Sequence, residues 1–425
     1  MKSYLQMTKE ELQQEQKTVL DLFETAKKKG LKLDMSRGKP GSDQLDMVSG
    51  LASILSQPED FYDGKLDVRN YGNLSGIPSA KVLFAELLGT KPEEIFVGGS
   101  SSLSLMYDTI AKAYTHGLKN SPKPWGKLET VKFLCPVPGY DRHFQISQSF
   151  GMDMIAVPMN EYGPDMTLVE TLVKDPAVKG MWCVPKYSNP SGIIYSDETI
   201  RRIAALNPAA PDFVLMWDNA YCVHEFDGEF VPFADILSLC REAGNPDMVY
   251  EFASTSKITM PGAGVAVFAT SQDNMAYMTE LLGSQVISYD KVNQLRHVRY
   301  LKDKAGVLAL MKRHAAILKP KFEAVLSKLD QELAPLGIAS WTSPKGGYFV
   351  SMDGMECTAK RTLQLCKEAG VVMTGAGATF PYGVDPLDRN IRIAPTLPPV
   401  QELELAMEVF CLCVRLAALE KLLNK

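Results

Sequence analysis

Seven short apolar runs, separated by longer helix-periodic stretches, limit this chain more than any other feature. They are Ile95–Val97, Lys132–Leu134, Met154–Val157, Gly180–Val184, Phe213–Trp217, Met248–Phe252 and Val265–Ala269. Each is nearly continuous in apolar character, where a half-exposed strand would alternate. Such strands belong to a sheet covered by helices on both faces, and so to a mostly parallel one. The pattern predicts an α/β domain over residues 46–300 with a mostly parallel seven-stranded sheet. After Asp290 the texture changes. A charged helical stretch (Asn293–Leu329) leads to short alternating runs at Ile338–Ser340 and Gly347–Val350. A helix near Thr358–Ala369, an irregular loop and a final helix (Val400–Leu423) follow. This predicts a smaller α+β domain over 301–425. Residues 1–45, opening with an amphipathic helix (Thr8–Lys29) that Gly30 can end, are expected to join it.

Composition excludes several classes. A chain of 425 residues, 46% hydrophobic, can bury a large core without metals or disulfides as staples. A net charge of -5 with no long basic run disfavours nucleic-acid and anionic-membrane partners. No apolar stretch approaches the roughly 18 residues that span a bilayer. The charged first 29 residues lack the apolar core of a signal peptide. The eight cysteines are scattered, and Cys411 and Cys413 lack the paired spacing of a zinc site. Reduced thiols in a cytoplasmic protein, with no metal, are the expectation.

In open α/β sheets, ligands bind beyond the carboxyl ends of the strands. Four groups fall there. Lys257, in Ser254-Thr255-Ser256-Lys257, follows one strand and could enter a cleft as a nucleophilic amine, or lie in a surface turn. Asp218, in Trp217-Asp218-Asn219-Ala220-Tyr221, is either a catalyst or a helix cap. Asn189, in Ser188-Asn189-Pro190-Ser191-Gly192, marks a turn by itself. Gly98-Gly99-Ser100-Ser101-Ser102 precedes a helix over Leu103–Tyr114, so its amides and hydroxyls form an anion site or simply turn the chain.

Their order is a phosphate loop, an Asn turn, a strand-end Asp with Tyr, then Ser-x-Ser-Lys. With it come Ser36–Pro40, Tyr71-Gly72-Asn73-Leu74-Ser75-Gly76, Pro138-Gly139-Tyr140-Asp141-Arg142 and Lys291–His297. On these phrases the chain resembles, over nearly its whole length, the fold-type I pyridoxal-phosphate (PLP) aminotransferases of class I/II. Within them it is most similar to the type Ic aspartate aminotransferases.

The resemblance implies roles. Lys257 would carry the cofactor as a Schiff base and serve as acid/base. Asp218 would pair with the pyridinium nitrogen, while Asn189 and Tyr221 would reach the ring oxygen. Gly99, Ser100, Ser101 and Ser254 would hold the phosphate, and Tyr140 would stack on the ring. Arg392 would grip the substrate α-carboxylate with its planar fork, joined by Gly38, Arg37 and Asn189. Tyr71 would reach the phosphate of a neighbouring subunit, implying a homodimer with shared sites. For a distal carboxylate, Arg37, Lys39, Lys291 and Arg296 are candidates among which the sequence does not choose.

One departure stands out. The family usually carries an arginine eight residues after the lysine, where this chain has Val265. Gly262-Ala263-Gly264 lacks the third glycine of a dinucleotide loop, and His224-Glu225 lacks a second histidine one turn away. A regulatory relative would need a DNA-binding module, and about thirty residues before Ser36 are too few for one. The expected reaction is ping-pong transamination between L-aspartate and 2-oxoglutarate. A transaminase for an aromatic or aminoadipate substrate, or a PLP-dependent lyase, is the alternative.

Overall fold

The apolar runs form one sheet, and its central strands have a core on both faces, while Asp153–Asn160 toward the edge alternates between buried and exposed. Along Val214–Asp218, Leu215 and Trp217 enter one buried cluster while Val214 and Met216 enter another. The structure, a computed structural model, describes residues 2–424. Strand order across the sheet is Ile95–Val97, Ala266–Ala269, Val249–Ser254, Val214–Asp218, Val178–Cys183, Lys132–Val137, Asp153–Asn160 and Gly163–Pro164. From Val249–Ser254 to Asp153–Asn160 every neighbouring pair is parallel, and Ala266–Ala269 runs antiparallel to both its neighbours.

The sheet therefore has eight strands rather than seven. The extra one is a two-residue return, Gly163–Pro164, paired antiparallel with Met159–Asn160. Two residues carry no periodicity to read. The predicted charged helical stretch is in fact two helices, Lys291–Leu301 and Lys304–Glu332. Lys302 adopts φ 68°, and the Asp303 side chain accepts from the Gly306 N–H to begin the second helix.

A second core gathers both ends of the chain. Val19 and Phe23 of the helix Lys9–Lys28 pack with Leu403, Phe410 and Val414 of the helix Val400–Leu423. The first helix starts at a capping box, Thr8 with Glu11. A three-stranded antiparallel sheet, Ser340–Trp341, Val350–Asp353 and Asn390–Ile393, completes this region. It is tied to the large sheet by the segment after Asp218. The Phe226 and Asp227 N–H groups donate to the Lys345 carbonyl, and the Gly347 N–H donates to that of His224. Beneath this junction the fully buried Lys186 pairs with Glu225 at 2.6 Å.

The N-terminal segment is also fixed to this region. Leu33–Asp34 pairs in parallel with Val371–Val372. The chain then passes toward the carboxyl ends of the large sheet. Among the described residues, no helix is long and apolar enough to cross a membrane, and no cluster of His, Cys, Asp and Glu is placed to hold a metal.

Gly370 makes the parallel pairing possible. It has φ 83°, and a Cβ there would collide with the Leu31 carbonyl. Gly370→Ala is predicted to cost about 2 kcal/mol or more, from left-handed backbone strain and the backbone collision. Thermal or denaturant unfolding of the variant measures this.

Candidate active site

A cavity of ≈ 200 Å³ opens at the carboxyl ends of the parallel strands, with Lys257, Asp218, Asn189, Tyr140 and Tyr221 in its wall. A larger hollow of ≈ 410 Å³ runs past Lys119, Asp212 and Asp247, but its charges already neutralise one another. Lys119 lies 2.9 Å from Asp247, and Lys179 lies 2.7 Å from Asp212. The smaller cavity holds an amine and a buried carboxylate oxygen that no ion pair or hydrogen bond engages.

Asp218 ends its strand and is 3% exposed. One carboxylate oxygen lies 3.0 Å from His143 Nε2, and the other, Oδ1, has no hydrogen-bond partner. His143 is held in turn by a parallel stack on Trp182 (centroids 4.4 Å apart) and by the edge of Tyr140. A buried carboxylate oxygen with no donor calls for a donor from a ligand.

Lys257 follows the strand Val249–Ser254 through a single tight turn. Its Nζ lies 4.8 Å above the Tyr221 ring and 6.0 Å from that of Tyr348. Burial pulls the amine below the ordinary lysine range, and Asp218 partly opposes this. Tyr221 is pushed the other way, chiefly by burial, with Tyr140 and Asp218 adding to it.

The cavity's far wall is built for an anion. The helix Ser102–Thr115 points its N-terminus there, and its N-cap, Ser101, makes no side-chain cap bond. Ser101, Ser102, Ser254 and Ser256 line this end, with Ser254 Oγ donating to Ser256 Oγ at 3.0 Å. Gly99 and Ser100 belong to the same turn without lining the cavity, and the helix begins at Ser102 rather than Leu103. Val265 is buried in the large core. Its N–H donates to Thr255 Oγ1 and its carbonyl accepts the Thr255 N–H. Among the described residues, Lys257 is the one cation in the cavity wall.

Arg392, on the strand Asn390–Ile393, lies behind the cavity wall, against Asn189 and Phe349. Nη1 donates to Asp141 Oδ1 at 2.9 Å and to Asn189 Oδ1 at 3.3 Å, and Nη2 donates to Thr374 Oγ1. Its guanidinium lies over Phe349 at 4.9 Å, while its buried Nε has no partner. Gly38 lines the cavity because only a glycine fits there: a Cβ would enter the Phe349 ring.

Other predicted residues lie elsewhere. Tyr71 is 79% exposed and outside the cavity. Arg37 and Lys39 are exposed. Lys291 is buried and donates to the Gly72 carbonyl at 2.9 Å. Arg296 is partly buried, with Nη1 3.4 Å from Asn293 and Nε unpartnered. His143 and Phe349 were missed by the sequence reading, as was the pairing of Asp141 with Arg392. No local signal joins them to the site, since His143 and Asp218 are 75 residues apart.

The fold and this cavity define the class: a fold-type I aminotransferase, for which PLP is the cofactor. The residues fit that group. Asp218 Oδ1 lacks a donor, which a protonated pyridine nitrogen supplies, and the uncapped helix N-terminus with its serines suits a phosphate. Comparison with known proteins agrees. The sequence matches the aspartate amino-transferase family over residues 7–425. An aspartate aminotransferase of Corynebacterium glutamicum is 50% identical over 402 residues, covering 95% of this chain and 93% of that one. The crystal structure of an aspartate transaminase from that species superposes with a TM-score of 0.95 at 49% identity, covering 97% of each chain. A Thermus thermophilus α-aminoadipate aminotransferase, crystallised with N-(5'-phosphopyridoxyl)-L-leucine, shares the fold with a TM-score of 0.74 at 22% identity over 92% of this chain and 93% of its own. The chain belongs to the aspartate amino-transferase family.

The depressed Lys257 amine gives a direct prediction. In cofactor-free protein, labelling of Lys257 by an amine-directed reagent should have its pH midpoint below the ~10.4 of a free lysine. Asp218→Asn removes the carboxylate that favours the ammonium form, so it should lower that midpoint further. Peptide-resolved mass spectrometry follows both.

Proposed function

We propose that this enzyme transfers the amino group of L-aspartate to 2-oxoglutarate by a ping-pong mechanism, giving oxaloacetate and L-glutamate. One observation carries the reading: a depressed lysine amine and an unsatisfied buried carboxylate line a single cavity, and an arginine fork is held against Asn189 and Phe349 of its wall. The choice of aspartate rests on the relative of that name at 50% identity.

Bound PLP supplies an electron sink for the negative charge left at the substrate Cα. The protein supplies the rest. Lys257, whose amine burial keeps more readily neutral, attaches the cofactor and later moves the proton away from Cα. Asp218 holds the proton on the ring nitrogen, and His143 fixes the carboxylate that does so. Asn189 and Tyr221 would donate toward the ring oxygen, and Tyr140 would cover one face of the ring. Ser101 and Ser254, with the helix N-terminus and the neighbouring Gly99–Ser100 turn, hold the phosphate. Hydroxyls and amides thus carry the load that an arginine at position 265 would otherwise share.

Arg392 binds the substrate α-carboxylate. In the structure its Nη1 is engaged by Asp141, so a substrate carboxylate would exchange with that side chain rather than meet a bare cation. Gly38 closes the same end. The exposed Tyr71 supports a homodimer in which that ring reaches the partner's phosphate. We divide the chain into a PLP-binding domain over 46–300 and a small domain over 301–425 that residues 1–45 join. A cytoplasmic location suits its eight unpaired thiols.

Substrate choice is tested by single half-reactions. L-Aspartate and L-glutamate should each convert the bound cofactor to its amine form. Conversion by an aromatic amino acid or 2-aminoadipate, with aspartate inert, would refute the aspartate assignment. Arg392→Lys should lower kcat/KM by about 100-fold, since a lysine cannot copy the two parallel bonds. Steady-state kinetics with L-aspartate read that loss.

A further inference from the structure

The catalytic lysine is useful only if its main chain is fixed, and the sheet does not fix it. Hydrogen-bonded strand structure ends at Ser254, and Lys257 closes a three-residue turn. Two consecutive carbonyls beyond the strand are instead held by side chains from other parts of the chain. Tyr348 O–H donates to the Lys257 carbonyl at 3.4 Å. His314 Nε2 lies 3.1 Å from the Ile258 carbonyl. Tyr348 lies just before the strand Val350–Asp353, and His314 sits on the helix Lys304–Glu332.

Both rings meet at one amide. Gln44 Nε2 lies 2.9 Å from His314 Nδ1 and 3.5 Å from the Tyr348 hydroxyl, and its Oε1 accepts the Gly41 N–H at 3.3 Å. All three side chains are buried, with Gln44 0% exposed. The donor inventory then leaves a single arrangement. The Gly41 N–H fixes which end of the amide is oxygen, because a flipped amide would set donor against donor. The two amide hydrogens of Gln44 therefore go to His314 Nδ1 and Tyr348. His314 Nδ1 must accept, so its one proton sits on Nε2 and faces the Ile258 carbonyl. Burial holds the imidazole below its usual range and so neutral, as this tautomer requires. Tyr348, accepting from Gln44, spends its own hydrogen on Lys257.

We propose that Gln44 is a positioning residue for Lys257, acting through His314 and Tyr348 on two consecutive backbone carbonyls. The proposal rests on Lys257 being the cofactor lysine. It also gives the N-terminal segment a part in the chemistry. Gln44 lies on the short helix Ser42–Met47, six residues after Gly38 in the cavity wall. The piece of chain that shapes the substrate end of the cavity therefore also sets the register of the lysine. A displacement of about 1 Å at such a group is enough to cost about 100-fold in rate.

The test uses the full chain reconstituted with PLP. Its readouts are the pH midpoint of the bound cofactor's visible band, kcat and KM for L-aspartate, and the thermal midpoint of the cofactor-free protein. Gln44→Leu should move the band's pH midpoint by about half a unit or more. It should lower kcat by about tenfold or more with KM within about threefold. His314→Gln puts an amide N–H where Nε2 stood but offers Gln44 no acceptor, so it should lose less than Gln44→Leu. His314→Asn reaches only the Nδ1 position and should behave like Gln44→Leu. Tyr348→Phe removes one oxygen, so it folds if any variant does; it should shift both readouts in the same direction by less. An unchanged midpoint and kcat in Gln44→Leu, or equal damage in His314→Gln and His314→Asn, would overturn the proposal. If Gln44→Leu fails to fold, Tyr348→Phe decides: no shift there overturns it. Lys257→Ala separates the two levels. A covalent visible band that survives this substitution refutes the lysine assignment and the proposal with it.

Discussion

A carboxylate at the end of a buried strand sets the terms for the rest of this active site. Asp218 is nearly removed from water, and a buried charge is tolerated only when groups around it are arranged to meet it. His143 meets one oxygen, and the other faces the cavity without a donor. The Lys257 amine is placed nearby, where the carboxylate draws its affinity for protons up while burial draws it down. His143 in turn needs Trp182 to hold its plane. Asp218 and Lys257 stand at the ends of neighbouring strands, Trp182 comes from the next strand, and His143 from the helix after the strand beyond it, all distant in the chain. The sheet is thus less a scaffold for separate residues than a device for closing one electrostatic circuit.

The proposed substrate end depends on a different region. Arg392 comes from the small three-stranded sheet, Gly38 from the N-terminal segment, and both meet at Phe349. These elements are registered to the large sheet at the junction beneath Glu225 and Gly347, where backbone bonds and a buried Lys186–Glu225 pair join the two regions. Breaking one member of such a pair leaves an uncompensated buried charge, so this junction is costly to loosen. Two regions of the fold therefore share the proposed site: one supplies Asp218 and Lys257, the other the arginine.

Much of this was legible in the sequence, for identifiable reasons. Strands buried on both faces are apolar at nearly every position, and the half-exposed Asp153–Asn160 still carries an apolar run, so seven of the eight announced themselves, with ends displaced by up to three residues. Asp218, Lys257, Asn189 and Ser101 were readable because they sit where strands stop. The break at Lys302 was not, since charge and helical period run through it unchanged. Nor were the contacts that give the residues their chemistry. Arg392 and Asp141 are 251 residues apart, and Gln44 and His314 are 270 apart. Spacing along the chain encodes nothing about such pairs. Position 265 was read as a missing cation, and its physical reason is burial: Val265 packs in the core with both backbone groups bonded to Thr255.

The central claim is that Lys257 is the covalent anchor of the cofactor. Borohydride reduction of the PLP-loaded enzyme, followed by peptide mapping, tests it most directly. The account predicts one stable phosphopyridoxyl adduct per chain, located on the peptide containing Ser254-Thr255-Ser256-Lys257 and assigned to the Lys257 side chain. An adduct confined to another lysine, or spread over exposed lysines with residue 257 unmodified, would contradict it.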